Sequence, residues 1–163
     1  DPNPILYFEH KYMYRSVKGD VPSENYNIEI GKADIKKTGN DVSVITYGMG
    51  VHWILEISSK LEKEDISIEI IDLRSLIPWD KELVKKSVSK TNKVLILHEA
   101  NLTGGIGAEI SAYISEKCFR FLDAPIMRLG ALDTPVPFSS QLEKEIYLPI
   151  NKIEQKIKEL VNF

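Results

Sequence analysis

"VLILHEANLTGGIGAEI", residues 94–110, decides the fold class of this chain. It begins with consecutive apolar residues, a pattern typical of a strand buried on both faces. Three glycines, Gly104, Gly105 and Gly107, follow this run, and apolar residues then recur at helical spacing. A buried strand, a glycine-rich loop and a helix in succession indicate an α/β domain with a mainly parallel sheet.

The same alternation continues on both sides of this stretch. Strands are predicted at "VSVITYG" (42–48), "ISIEIIDL" (66–73) and "APIMRLGA" (124–131), with weaker ones at 5–8 and 28–35. Helices are predicted over residues 51–64, after an N-cap at Asp80, from Ile106 onward, and from Pro149 to the C-terminal end. Helices between the strands are expected to cover both faces of the sheet.

The bulk composition is that of an ordinary globular protein. The chain has 163 residues, of which 43% are hydrophobic and 28% charged, enough for one domain with a sizeable core. The 21 basic and 24 acidic residues give a net charge of −3, which argues against a nucleic-acid-binding protein. The first residue is not methionine and a strand pattern follows almost at once, so we expect the chain to be part of a longer protein.

The glycine loop resembles a phosphate cradle in outline but lacks its essential residues. A dinucleotide-binding fingerprint that starts at Gly105 requires a small residue where Ile110 stands, and no P-loop lysine follows. Glu99 and Glu109 flank the loop and would repel a phosphate. The glycines are therefore expected to serve a tight turn and close packing against a neighbouring subunit.

Two of the three histidines are candidates for a functional role. His98 is predicted at the end of a buried strand, beside Glu99, where open α/β sheets line their ligand crevice. His10 lies in "FEHKYMYR", a cluster of charges just after a predicted strand. His52 begins a helix and is expected to be structural.

Three further features are expected to have no catalytic role. Asp72 and Arg74 follow a strand and could form a half-buried pair that organises structure. Cys118, the single cysteine, stands in an apolar helix pattern and is expected to be a core residue in a reducing compartment. The sequon at Asn101 has no secretory signal to accompany it.

Several stretches together resemble the beta subunit of the decarboxylase component of 2-oxo acid dehydrogenase complexes. These are "PILYFEHKYMYR", "DVSVITYGMGVH", "IEIIDLRSLIPWD", "SVSKTNKVLILHEANLTGGIGAEI" and "FLDAPIMRLGALDTPVP", in this order. The forms "IPWD" and "HEANLTGG" and the ending "VNF" are most similar to the branched-chain (2-oxoisovalerate) type. Transketolase and deoxyxylulose phosphate synthase, wider relatives whose last domain has this fold, match the motifs less well.

The resemblance implies a three-layer α/β/α domain with a five-stranded mixed, mostly parallel sheet. The weak strand at 28–35 would then be antiparallel to the others. Residues 1–22 resemble the tail and linker of a preceding pyrimidine-binding domain, and residues 23–163 the transketolase C-terminal domain. The parent enzyme would be bacterial and cytoplasmic, or located in the mitochondrial matrix.

The resemblance also implies the chemistry and partners of the parent enzyme. That enzyme uses thiamine diphosphate and magnesium to decarboxylate a 2-oxo acid and to acylate a lipoyl group, but the cofactor ligands lie outside these residues. The domain would support a heterotetramer of alpha and beta subunits and dock the subunit-binding domain of the acyltransferase. Asp123 and the carboxylate of Phe163 match the docking groups, and His10 would lie near the active-site entrance.

Two alternatives remain open from the sequence. The chain could be a free-standing α/β interaction domain without a catalytic parent. It could also be the matching domain of a transketolase or a deoxyxylulose phosphate synthase.

Overall fold

The structure, a computed structural model, describes residues 2–146 and 150–163. Its centre is a five-stranded sheet in the order β1-β3-β2-β4-β5, formed by β1 (Asp34–Lys37), β2 (Val42–Thr46), β3 (Ile68–Asp72), β4 (Val94–Asn101) and β5 (Met127–Ala131). β1 pairs antiparallel to β3, and the other neighbours pair in parallel. The predicted mixed, mostly parallel sheet is confirmed.

Helices cover both faces of this sheet, so the predicted three-layer arrangement is also confirmed. α2 (Met49–Leu61) and α6 (Ile150–Val161) pack on one face. α3 (Lys81–Thr91) and α4 (Ile106–Lys117) pack on the other. From β2 onward, each helix between two strands connects strands that run in parallel.

Two shorter helices lie outside this framework and were not predicted from the sequence. They are α1 (Met13–Ser16) and α5 (Ser140–Ile146). The helix predicted over residues 51–64 is α2, which begins at Met49, followed by a 3₁₀ turn at Glu62–Glu64. Pro149, the predicted start of the last helix, lies outside the described residues.

Both weak strand predictions need correction. Residues 5–8 form no strand, since none of the strands in the described part of the chain pairs with them, and Leu6, Tyr7 and Phe8 are each at least 84% exposed. The antiparallel strand is Asp34–Lys37 rather than 28–35, because a turn at Gly31, with φ 80°, precedes it. Only Asp34 and Ile35 belong to both ranges.

The predicted N-cap at Asp80 is confirmed. Its Oδ1 accepts a hydrogen bond from the Leu83 amide at 3.0 Å, which satisfies one of the free donors of the first turn of α3. Its Oδ2 accepts from the Ala33 amide at 3.2 Å and so ties the segment before β1 to this helix.

Because β2, β3, β4 and β5 run in parallel, their ends define two opposite edges of the sheet. The carboxyl edge, where these strands end, includes Tyr47, Asp72 and the last residues of β4. The amino edge, where they begin, includes Lys93 and Asp123, and α6 ends there. Polar candidates predicted from the sequence are found at both edges.

Candidate functional site

His98 is a fully buried imidazole inside β4, three residues before the strand ends. Its Nδ1 lies 2.9 Å from the carbonyl oxygen of Ala100 and therefore donates, since a carbonyl only accepts. Its Nε2 has no hydrogen-bond partner among the described residues. Burial lowers the pKa of His98, and Arg128 acts in the same direction, so the imidazole is neutral.

The glycines of the loop and of β5 make room for this imidazole. A Cβ on Gly107 would lie 2.4 Å from His98 Nε2, and one on Gly105 would lie 2.4 Å from the Asn101 carbonyl oxygen. A Cβ on Gly130 would lie 2.8 Å from His98 Cε1. Glycine is therefore required at these three positions, because their backbone lies too close to His98 and to a carbonyl oxygen to leave room for a Cβ.

Gly104 serves a different purpose from its neighbours. Its φ is 74°, in the left-handed region that favours glycine, and a Cβ there would meet open space. The packing of Gly104, Gly105 and Gly107 against a neighbouring subunit stays a prediction.

Three further side chains complete a cluster at the carboxyl edge. His10 Nε2 lies 3.0 Å from Glu99 Oε2, which joins the N-terminal segment to the end of β4. The Tyr47 ring stacks on His98 with centroids 6.4 Å apart. Burial raises the pKa of the Tyr47 hydroxyl, and the Glu99 carboxylate adds to this effect. We call His10, Tyr47, His98 and Glu99 the carboxyl-edge cluster.

The other sequence candidates at this edge organise structure. Arg74 has φ 54°, its amide donates to Asp72 Oδ1 at 3.2 Å, and its guanidinium pairs with Asp34 Oδ1 at 3.4 Å. The side chain of Arg74 thus joins β1 to the end of β3. Burial raises the pKa of Asp72, while the Arg74 amide opposes this shift. The half-buried pair of Asp72 and Arg74 that the sequence suggested is not formed by the side chains, because Arg74 is exposed and its guanidinium pairs with Asp34, so that only its backbone amide bonds to Asp72.

His52 and Cys118 lie apart from the cluster. His52 is a partly exposed residue of α2. Cys118 is buried at the end of α4, and burial raises the pKa of its thiol, so it is a poor nucleophile.

The loop geometry does not fit a diphosphate. The space beside Gly105 and Gly107 is filled by His98, and Glu99 and Glu109 lie on either side of the loop in the sequence. Within residues 2–146 and 150–163, no group of three or more His, Cys, Asp or Glu side chains could hold a metal ion. Over the same residues, none of the helices has the length and apolarity needed to span a bilayer.

Asp123 and Phe163 come together at the amino edge. Both line one concavity of about 440 Å³, together with residues of α4 and of the segment that leads into β5. Asp123 is exposed, and Phe163 is 68% exposed. The structure thus brings together two residues that are 40 positions apart in the sequence.

Sequence reasoning missed Tyr47 and Gly130. Tyr47 directly follows the predicted strand "VSVIT", and its place at a strand end was a usable signal. Gly130 lies inside a predicted strand, where a glycine often marks a close approach. The partner of that approach, His98, could not be read from local sequence.

A mixed five-stranded sheet between two helix layers, with polar residues at the strand ends, defines a three-layer α/β/α domain. The sequence model described as "Transketolase, C-terminal domain" matches residues 31–153. The chain belongs to this family.

Similar relatives include beta subunits of 2-oxo acid dehydrogenases. The chain is 45% identical to the 2-oxoisovalerate dehydrogenase subunit beta of Bacillus subtilis, over all of the chain and 50% of that protein. It is 44% identical to the mitochondrial 2-oxoisovalerate dehydrogenase subunit beta 2 of Arabidopsis thaliana, over 45% of that protein. It is 42% identical to the pyruvate dehydrogenase E1 component subunit beta of Staphylococcus aureus, over 99% of the chain and 49% of that protein.

A solved structure agrees with this assignment. A split-gene transketolase, described as an inactive beta4 tetramer, superposes with a TM-score of 0.73 at 26% identity, over 88% of this chain and 46% of that one. The chain spans about half the length of the curated relatives it matches.

The neutral His98 makes stability fall in acid. Because its pKa in the folded state is below the usual value of 6.5, the unfolded chain binds more protons as the pH falls through about 6.5. As the pH falls below about 6.5, we expect His98 to lower the free energy of unfolding by at most about 1.4 kcal/mol per pH unit. His98→Gln should lose this component, measured by urea unfolding between about pH 5 and pH 8. A difference between wild type and variant that is constant with pH would contradict the prediction.

This chain should not bind thiamine diphosphate. The glycine loop is filled by His98, and acidic residues stand on both sides of it in the sequence. Calorimetric titration of the chain with thiamine diphosphate and magnesium should give no saturable heat. A dissociation constant near 1 μM, about −8 kcal/mol, would contradict it.

Proposed function

We propose that this chain is the C-terminal domain of the beta subunit of a thiamine-dependent 2-oxo acid dehydrogenase, of the branched-chain (2-oxoisovalerate) type. The observation that carries the proposal is 45% identity over the whole chain to a 2-oxoisovalerate dehydrogenase beta subunit, with the family match over residues 31–153. The reaction of the parent enzyme would be oxidative decarboxylation of a 2-oxo acid with reductive acylation of lipoyl.

In the proposed parent enzyme, thiamine diphosphate with magnesium supplies the decarboxylation chemistry. We propose that the residues holding it lie in the alpha subunit and in the preceding part of the beta chain. The filled glycine loop supports this division of roles. The enzyme would act in the bacterial cytoplasm or the mitochondrial matrix.

The N-terminal segment is proposed to belong to the preceding domain, with the boundary near residue 22. Its large apolar side chains support this, since Leu6, Tyr7 and Phe8 are at least 84% exposed and have no core of their own. The ion pair between His10 and Glu99 joins this segment to the carboxyl edge. A cleft between two domains at such an edge is a usual position for an active site.

His10 is proposed to line the active-site entrance. It is 32% exposed at the side chain and is held by Glu99, so it is partly available to a substrate. An imidazole N–H at this position would donate a hydrogen bond to the carboxylate of a 2-oxo acid.

In the assembled heterotetramer, His10→Ala should lower kcat/KM at least about tenfold, a loss of about 1.4 kcal/mol of transition-state stabilisation. Lys11→Ala is the matched control, because it removes a neighbouring exposed side chain. Steady-state turnover with 3-methyl-2-oxobutanoate measures both variants. If His10→Ala kept the wild-type kcat/KM, the proposal that His10 lines the active-site entrance would be wrong.

The amino edge is proposed to dock the acyltransferase core. Asp123 and the carboxylate of Phe163 are the negative groups, and the partner is the basic subunit-binding domain of the lipoyl acyltransferase. Their common concavity of about 440 Å³ supports one shared contact area for both. The remaining surfaces of the domain are proposed to support the assembly of alpha and beta subunits.

Asp123→Asn combined with a short extension after Phe163 should weaken docking about tenfold or more and flatten its salt dependence, because charge pairs across an interface couple by about 1.5–7 kcal/mol when close. The assembled enzyme and the purified subunit-binding domain would be compared by surface plasmon resonance at two salt concentrations. Decarboxylation without the acyltransferase should be unchanged. Wild-type affinity in the double variant would show that docking uses another surface.

A transketolase origin is the second candidate. The observation that favours it is the superposition on a split-gene transketolase with a TM-score of 0.73, which shows that the two chains share an architecture. The identity there is 26%, against 45% to the 2-oxoisovalerate dehydrogenase subunit, so the dehydrogenase is preferred. Activity of the assembled enzyme on branched-chain 2-oxo acids, and none on ketose phosphates, separates the two.

A further inference from the structure

The turn between α3 and β4 is bonded to the segment that carries Asp123. Asn92 ends α3 in a left-handed conformation, with φ 62°. Its carbonyl oxygen accepts a hydrogen bond from the Asp123 amide at 2.9 Å, and its side-chain amide donates to the carbonyl oxygen of Phe121. Asn92 thus holds this segment at two points, one of them the backbone of Asp123 itself.

The next residue of the same turn is bonded to the end of α6. Lys93 Nζ donates to the carbonyl oxygen of Val161 at 2.7 Å, two residues before Phe163. The last carbonyl groups of a helix have no partner within it, and a cation there also opposes the negative end of the helix dipole. Lys93 therefore holds the last turn of α6, which lies just before Phe163.

The turn is itself anchored to the core of the domain. The carbonyl oxygen of Lys93 accepts from the Ser43 amide of β2 at 2.9 Å and from the hydroxyl of Thr91 at 3.2 Å. Ser43 and Thr91 are both buried. The position of the turn is thereby set by the central sheet and not by the surface.

We infer that Asn92 and Lys93 are positioning residues that set the separation of the Asp123 carboxylate and the Phe163 carboxylate for a basic partner. The inference rests on the docking role proposed above for these two groups. They come from elements with no sequence proximity, and the Asn92–Lys93 turn is bonded to the segments that carry both. Asn92 holds the segment that carries the Asp123 carboxylate, and Lys93 holds the end of α6, which leads to the Phe163 carboxylate.

Lys93 gives this inference a prediction of definite sign. A lysine near negative docking groups opposes the approach of a basic partner, so by charge alone its removal should strengthen docking. If Lys93 positions the end of α6, its removal should instead weaken docking, because the Phe163 carboxylate loses its fixed location. The two effects have opposite directions and can be separated by one measurement.

The experiment uses the assembled decarboxylase component and the purified subunit-binding domain of its lipoyl acyltransferase as the probe. We expect Lys93→Met to weaken binding about fivefold or more, the order of effect of losing one charge-assisted hydrogen bond. Lys93→Arg, which can still donate to Val161, should bind as wild type. Asn92→Gly, which permits the left-handed conformation but loses the bond to Phe121, should also weaken binding. Lys86→Met removes an exposed lysine of α3 and is the matched charge control.

Two further readouts exclude a loss of folding. The decarboxylation rate without the acyltransferase should match the wild type, and each variant should still unfold in a single cooperative thermal transition. Unchanged or tighter binding by Lys93→Met would overturn the inference, as would parallel losses of binding and decarboxylation. The double change at Asp123 and Phe163 tests the docking role separately: if that variant binds normally, the proposed docking surface is wrong whatever the turn variants do.

Discussion

Burial of the three central strands on both faces is the constraint on which the rest of the structure depends. The side chains of β2 are all buried, as are most of those in β3 and the first five residues of β4. Such strands need a helix layer on each side, which the chain supplies as α2 with α6 and as α3 with α4. Polar side chains are costly in this interior, so the candidate functional residues lie at the two edges where the strands begin and end.

His98 departs from that rule, because it is a candidate functional residue that is fully buried, and the glycines around it follow from its burial. A buried imidazole avoids the cost of charge by staying neutral, and its Nδ1–H is satisfied by the Ala100 carbonyl. The residues that surround it must be glycines, because any Cβ at Gly105, Gly107 or Gly130 would collide with the ring or with a nearby carbonyl. A loop with the outline of a phosphate cradle is thus filled by a side chain of its own domain.

The two edges suit the two roles proposed for this domain. The carboxyl edge carries the cluster with His10 and Glu99, in the position expected for a cleft shared with a preceding domain. The amino edge carries Asp123 and Phe163, and the turn between α3 and β4 is bonded to both of their segments. The length of the strands separates the two edges, so docking of a partner and access to the cleft need not interfere. This separation agrees with a component that works inside a larger assembly.

The sequence by itself determined the α/β class, the buried strands and the N-cap at Asp80, because each depends on residues close together along the chain. It also determined the family, because several short motifs occur in a fixed order along the chain. Only the tertiary structure decided what the glycines of the loop contact, since their partner His98 meets them across a turn and a neighbouring strand. The same holds for the pairing of Arg74 with Asp34 and for the strand that begins at Asp34 instead of residue 28, where a turn at Gly31 and the ladder with β3 fix the start. The position of Asp123 and Phe163 around one concavity was likewise decided by packing, because α6 packs on the sheet and ends near the start of β5.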